Sequence, residues 1–139
     1  VPTPAERQAQ EQAEAKKRAD EKSALERKRR DMTLTSTYSN SKEIDLARNR
    51  NLQQVNARIN NNNSQLKLAN GNLLGLQKES EGYTRANKPI PKDLQDDIKE
   101  AQTRVAKLQQ NLEKSLAEKA AVEARYDADK ARYQELTGR

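Results

Sequence analysis

The residues best suited to bind a charged ligand are four consecutive basic ones, Arg27, Lys28, Arg29 and Arg30. Guanidinium and ammonium groups bind nucleic acid phosphates or anionic lipid head groups. However, residues 1–32 hold nine Lys and Arg against seven Asp and Glu, and no aromatic residue interleaves with the run to stack on bases. A solvated helical arm is therefore the simpler interpretation, and nucleic acid is a disfavoured partner.

Side chains that commonly perform catalysis or bind metals are scarce. The sequence has no Cys and no His, which removes the usual zinc sites, the thiol nucleophile and the His-based triad. Asp96, Asp97 and Glu100 are able to bind a divalent cation, but they lie at a predicted helix start, where the helix dipole favours carboxylates. We therefore predict no catalytic, cofactor-binding or metal site, and no enzyme activity.

The composition favours long helices over a compact globule. Of 139 residues, 32% are apolar and 35% are charged, with the bias toward Ala, Leu, Glu, Lys, Arg and Gln that is typical of helices. Low hydrophobicity with high charge also fits disorder, so periodicity has to decide between the two. No apolar run approaches the roughly 20 residues that span a bilayer, which predicts no membrane span.

A first heptad pattern indicates one long helix. Apolar and small residues recur in steps of three and four without a stutter. These seam positions are Leu52, Val55, Ile59, Asn62, Leu66, Ala69, Leu73, Leu76, Ser80 and Tyr83. Residues 60–63 are four asparagines, which are poor helix formers. Because Ile59 and Leu66 keep one register on either side of them, we predict that the helix continues through the asparagines.

A second heptad pattern follows a short turn. Its positions are Leu94, Ile98, Ala101, Val105, Leu108, Leu112, Ser115, Lys119, Val122, Tyr126, Asp129, Tyr133 and Leu136. Between the two patterns, Asn87 is expected to end the first helix in the left-handed conformation, and Pro91 suits a first helical turn. Asn40 and Glu43 form a predicted capping pair at the start of the first long helix.

These patterns predict an all-α chain. Residues 1–32 form a charged N-terminal arm, helical or disordered, and residues 33–43 form a connection. A first long helix covers 44–86, a turn covers 87–91, and a second long helix covers 92–137. The short turn predicts a long antiparallel two-helix coiled-coil hairpin with an N-terminal polar helical arm. Because one narrow seam buries little area, we expect self-association, most simply a dimer.

Folding the two patterns about the turn pairs specific residues. Asn62 falls opposite Ser115, a polar layer that either has a function or, more commonly, sets register and partner choice. At the open end of the hairpin, Arg48 falls opposite Asp129, where we expect an ion pair. Neither pair provides the chemistry of a catalytic site.

One stretch, "RRDMTLTSTYSNSKEIDLARNRNLQ" at residues 29–53, resembles a family of uncharacterised periplasmic proteins of Gram-negative bacteria. The matching residues are Arg30-Asp31, Thr37-Tyr38-Ser39, Ile44-Asp45, Ala47-Arg48 and Arg50. The "NKPIP" turn and the ending "YDADKARYQEL" extend the resemblance to about residue 137. The chain departs from the family at Asn87, where glycine is commoner, and in its asparagine run. The resemblance implies an exported coiled-coil protein in the periplasm, with its signal peptide removed.

Three functions remain open from the sequence. The leading hypothesis is a non-enzymatic structural or interaction protein of the cell envelope, which self-associates and presents polar helical faces to an unidentified envelope protein. An alternative is a nucleic-acid or anionic-surface binder that uses the basic arm. A second alternative is a periplasmic holdase that grips unfolded chains, which would need an open apolar groove.

Overall fold

The chain is all-helical in the computed structural model, which describes residues 1–138. Helix α1 covers Pro4–Thr37, α2 covers Ser41–Arg85 and α3 covers Lys92–Thr137. No strand occurs in the described residues. In this part of the chain, no helix combines enough length with enough apolar character to span a bilayer.

Helix α1 is formed by local interactions. At its start, the Thr3 hydroxyl accepts the Glu6 N–H at 3.1 Å, and the Glu6 carboxylate accepts the Thr3 N–H at 3.2 Å. Pro4 lies in the first turn, where its missing N–H has no helical partner to lose. No residue of α1 is buried. Its stability therefore depends on caps, charge pairs and helix propensity rather than on a core.

The connection after α1 is shorter than the predicted residues 33–43. Helix α1 continues to Thr37, so that only residues 38–40 separate it from α2. The Thr33 hydroxyl donates to the Arg29 carbonyl at 3.0 Å. A threonine can satisfy its hydroxyl in this way inside a helix, so a Ser- and Thr-rich segment does not have to end one.

Helix α2 begins three residues before the predicted position 44, at Ser41. The Glu43 N–H donates to the Asn40 side-chain oxygen at 3.1 Å, and the Glu43 carboxylate accepts the Ser39 N–H at 3.0 Å. The predicted cap between Asn40 and Glu43 is therefore confirmed, and it places the helix start immediately after Asn40.

The four asparagines do not interrupt α2. The helix is continuous through residues 60–63 and ends at Arg85. Asn60, Asn61 and Asn63 are exposed, whereas Asn62 is half-buried. The prediction of a single helix is confirmed, because the one asparagine at a seam position faces inward and the other three face solvent.

The turn between α2 and α3 uses a left-handed asparagine. Asn87 has φ +55°. Its N–H donates to the Thr84 carbonyl at 3.1 Å, and the Lys88 N–H donates to the Tyr83 carbonyl at 2.9 Å. This is the Schellman pattern, which satisfies the last carbonyls of a helix. The predicted role of Asn87 is therefore confirmed.

Residues 47–125 form one compact unit, in which α2 and α3 pack extensively. Arg58 of α2 contacts Glu118 of α3, and Asn62, further along α2, contacts Ser115, earlier in α3. The two helices therefore run in opposite directions in this unit. Its buried residues all lie at predicted seam positions: Leu52, Val55, Ile59, Ala69, Leu94, Ala101, Val105, Leu108 and Ser115.

Residues 1–46 and 126–138 form a second compact unit. The Tyr133 hydroxyl donates to the Tyr38 carbonyl at 3.1 Å, which ties the end of α3 to the connection after α1. Leu136, the last predicted seam residue, is 40% exposed, because α3 ends one residue later. The buried residues of this unit are Ile44, Tyr126 and Tyr133.

Candidate functional site

An open cleft of about 1040 Å³ lies in the unit of residues 1–46 and 126–138. The basic run at 27–30 lines it from α1, and Ala128, Asp129 and Arg132 line it from α3. The cleft also has apolar walls, to which Ala24, Leu34 and Tyr38 contribute.

The basic run borders two depressions of the surface. Consecutive residues of a helix point about 100° apart, so four of them extend around most of α1. Lys28 and Arg29 accordingly also border a smaller depression that includes Leu25 and Met32 on α1. All four nevertheless contribute to the lining of the cleft.

An ion pair joins the two walls of the cleft. The Asp31 carboxylate accepts two hydrogen bonds from Arg132, at 3.0 Å from Nε and 2.7 Å from Nη2. The hydrogen bond from Arg132 lowers the pKa of Asp31, and the charges of Arg30 and Arg27 lower it further. Arg132 also donates to Glu135 at 2.9 Å. With two carboxylates bound, Arg132 holds α1 against α3 rather than offering its charge to a ligand.

The predicted ion pair of Arg48 with Asp129 joins residues of the two units and stays a prediction. Arg48 lies 3.5 Å from the Glu123 carboxylate, within the unit of residues 47–125. Asp129 is half-buried and lines the basic cleft of the other unit. Arg48 therefore has an acidic partner that the pairing of seam positions did not identify.

The predicted polar layer of Asn62 and Ser115 is in contact. The Asn62 amide donates to the Ser115 hydroxyl at 2.8 Å and to the Asn111 carbonyl at 3.3 Å. Both amide hydrogens are thus used within the seam. Ser115 is 8% exposed, so little of its hydroxyl is open to a ligand. This geometry favours a role in register over a role in binding.

The excess of positive charge lies in segments of α2 and α3, not in the basic run of α1. Residues 47–78 of α2 hold five Lys and Arg and no Asp or Glu, and residues 101–125 of α3 hold five against three. These two segments together carry a net charge of +7, compared with +6 for the whole chain. The net charge of each helix segment indicates this excess, whereas the four consecutive basic residues at 27–30 do not.

Exposed leucines are the functional candidates that sequence reasoning missed. Leu68 is 76% exposed, Leu74 is 53% exposed and Leu116 is 49% exposed. None of them lies at a seam position, so the packing of α2 on α3 does not use them. Their positions outside the heptad seam were the feature of the sequence from which their exposure could have been predicted.

No protein-family model, curated protein or solved structure matches this chain. Within residues 1–138, no group of three or more His, Cys, Asp and Glu side chains converges into a metal-binding cluster. The functional interpretation therefore depends on the surfaces of the chain itself.

Proposed function

We propose that this protein is a non-enzymatic, self-associating coiled-coil protein that presents polar helical faces to a protein partner in the bacterial cell envelope. The hairpin of α2 and α3 is the assembling part, and α1 with its basic cleft is the part that a partner contacts. The periplasmic location follows from the family resemblance of residues 29–137, not from any surface of the chain.

The observation that carries the proposal is the set of leucines outside a seam that is already filled. Leu68, Leu74 and Leu116 are about half exposed or more. A buried leucine contributes about 1.5–3 kcal/mol relative to an exposed one, and coverage by another chain would recover part of that free energy. Because single exposed apolar residues are common, the number of these leucines matters more than any one of them.

Helix α1 supports the same proposal. A helix that buries none of its residues contributes no core to its own fold. Such a polar helix is suited to span a distance or to pair with another helix. Its 34 residues are about 51 Å long at 1.5 Å per residue. A partner would therefore meet a long, preformed polar surface.

The test is the mass of the protein in solution, measured by light scattering after size exclusion across a wide range of protein concentrations. A mass of two chains or more that persists on dilution supports the proposal. A mass of one chain at every concentration would overturn the self-association.

A second candidate function, binding of an anionic polymer or surface, is favoured by the charge of +7 on residues 47–78 and 101–125. The expected signature is binding to double-stranded DNA that weakens steeply as salt rises. A variant with Arg27→Gln, Lys28→Gln, Arg29→Gln and Arg30→Gln would distinguish the arm from the hairpin as the binding element. Loss of binding would assign it to the arm, and retained binding would assign it to the hairpin.

A further inference from the structure

Uncharged amides occupy a seven-residue series on each helix of the α2–α3 hairpin. At intervals of seven residues, Asn49, Asn56, Asn63, Asn70 and Gln77 follow one another on α2, and Gln95, Gln102 and Gln109 on α3. Residues seven apart lie on the same side of a helix that follows a heptad repeat. We call these eight residues the amide face. All are exposed except Asn56, which is half-buried.

The contact of Arg58 with Glu118, at 2.7 Å, identifies the opposite side of the hairpin. Each of these two residues immediately precedes a seam residue in its heptad. The amides instead immediately follow seam residues, as Asn63 follows Asn62 and Gln102 follows Ala101. Positions before and after the seam lie on its two different sides. The amide face and the pair of Arg58 and Glu118 are therefore on opposite sides of the hairpin.

We propose that the amide face is the surface through which two copies of this chain associate, with the two hairpins stacked face to face around a two-fold axis. This inference rests on the proposed self-association and names the surface and the partner for it.

Charge is the first argument for a second copy. The hairpin segments 47–78 and 101–125 carry a net charge of +7, so two copies repel each other wherever their basic side chains meet. The eight positions of the amide face contain no Lys, Arg, Asp or Glu. Contact through this face leaves the charged positions beside Arg58 and Glu118 in solvent, where they keep their hydration.

The chemistry of a primary amide is the second argument. An Asn or Gln side chain carries both a hydrogen-bond acceptor and two donors. In a two-fold symmetric contact, the same patch of each copy meets itself. A charged stripe would place like charge on like charge, whereas an amide stripe can pair with itself. The face is therefore self-complementary.

Exposed apolar area and size are the third argument. Leu116 continues the seven-residue series of Gln102 and Gln109 on α3, and Leu74 lies three residues before Gln77 on α2. From Asn49 to Gln77 the face is about 42 Å long, and two helices side by side are about 20 Å wide. The resulting area of roughly 800 Å², which on α3 also includes Leu116 and Glu123, matches what one partner contributes to a stable protein interface.

The decisive variant combines Asn63→Lys with Gln102→Lys in the full chain. In a face-to-face pair these lysines approach those of the other copy, and we expect the dissociation constant to rise at least about tenfold. The matched control combines Asn61→Lys with Gln110→Lys, which adds the same charge at exposed positions outside the amide face. The control should associate as the unchanged protein does. The measurement is mass by light scattering across concentrations, with helicity followed by circular dichroism.

A charge swap completes the test. A second variant, Asn63→Glu with Gln102→Glu, should also fail to pair with itself, but an equimolar mixture with the lysine variant should form mixed dimers. If the unchanged protein is a dimer and the lysine variant dimerises equally well, the amide face is not the interface while self-association stands. If both variants are monomeric and their mixture forms no dimers, the amide face is also not the interface. A monomeric unchanged protein would instead remove the proposed function itself.

Discussion

Asn62 shows how a polar side chain is accommodated inside an apolar seam. Its amide donates to Ser115 at 2.8 Å and to the Asn111 carbonyl at 3.3 Å, so burial leaves no amide hydrogen unsatisfied. A satisfied buried pair contributes less to stability than apolar residues of similar size, but it favours the one alignment in which its members meet. The pair therefore favours this register of α2 on α3 over registers in which one helix is shifted along the other.

Replacing both partners should separate stability from register. We expect Ser115→Ala alone to lower the free energy of unfolding by about 1–2 kcal/mol, because Asn62 loses its hydroxyl partner. Asn62→Leu with Ser115→Ala should be at least as stable as the unchanged protein. Urea unfolding followed by circular dichroism measures both. Asn61→Leu, at an exposed position, corrects for helix propensity. A double variant that is less stable than the unchanged protein after this correction would contradict the prediction.

Asp31 should titrate at an unusually low pH. Its pKa in the folded protein is lowered by the hydrogen bond from Arg132. A carboxylate with a lowered pKa stabilises the fold at pH values above its ordinary pKa, and that stabilisation is lost as pH falls through the folded pKa. We therefore expect the attachment of α1 to α3 to weaken only below about pH 4.

Carboxyl carbon chemical shifts measured by NMR against pH test this prediction directly. The titration midpoint of Asp31 should lie below that of an ordinary aspartate, and Arg132→Gln should return it toward about 3.9. Lys130→Gln is a suitable control, since Lys130 pairs with Asp45 at 3.1 Å rather than with Asp31. An unchanged midpoint in the Arg132 variant would show that the ion pair does not form in solution.

Helix α2 is weak by its composition and continuous in the structure. It contains four consecutive asparagines and the glycines Gly71, Gly75 and Gly82, all less favourable in a helix than alanine. It is nevertheless helical over 45 residues, because packing of its seam on α3 outweighs local propensity. The residues with low helix propensity lie mainly at positions that face away from α3, where they make no contact with the core.

Alanine at the three helical glycines should stabilise the protein. Beyond the adjacent residues and the nearby backbone of α2, a Cβ at each of them meets no atom within 4 Å, so no steric clash opposes the gain in helix propensity. We expect each of Gly71→Ala, Gly75→Ala and Gly82→Ala to raise the free energy of unfolding by about 0.5–1 kcal/mol. Thermal unfolding followed by circular dichroism measures the change.

Gly138 provides the contrasting control. It has φ +71°, and its N–H donates to the Gln134 carbonyl at 2.8 Å as it ends α3. Because alanine is strained in the left-handed region, Gly138→Ala should be neutral or destabilising. Equal stabilisation at all four glycines would show that helix propensity is not the cause.

Charge and burial divide the chain into different regions. Basic excess lies in the hairpin segments 47–78 and 101–125, whereas α1 is rich in charges of both signs and contains no buried residue. The hairpin thus has the contacts of a folded unit, whereas most of α1 is a helix exposed to solvent. Long-range attraction to an anionic partner would therefore be directed to the hairpin first.

Removal of residues 1–23 should leave the remaining protein folded. Every one of these residues is exposed, and the cleft contacts of α1 begin at Ala24. We expect helical signal to fall with the length removed, while the free energy of unfolding changes by less than about 0.5 kcal/mol. Thermal unfolding followed by circular dichroism is the measurement. A large loss of stability would mean that α1 contacts another chain in solution.

Heptad periodicity was sufficient to predict the long helices and their inward faces. The step pattern placed Leu52, Val55 and Ile59 inside, and each is at most 9% exposed. It also predicted the continuity of α2 and the left-handed cap at Asn87, because both follow from the local pattern of residue types. These features depend on neighbours within a few turns of helix, which a single sequence contains.

Contacts between distant segments were decided by the tertiary structure. Arg48 meets Glu123, and Arg132 of α3 meets Asp31 of α1, although neither pairing follows from seam positions. Long charged side chains reach several alternative partners, so a small shift of register or rotamer selects among them. Periodicity specifies which side of a helix faces inward, but only the packed backbone brings two particular side chains within hydrogen-bonding distance.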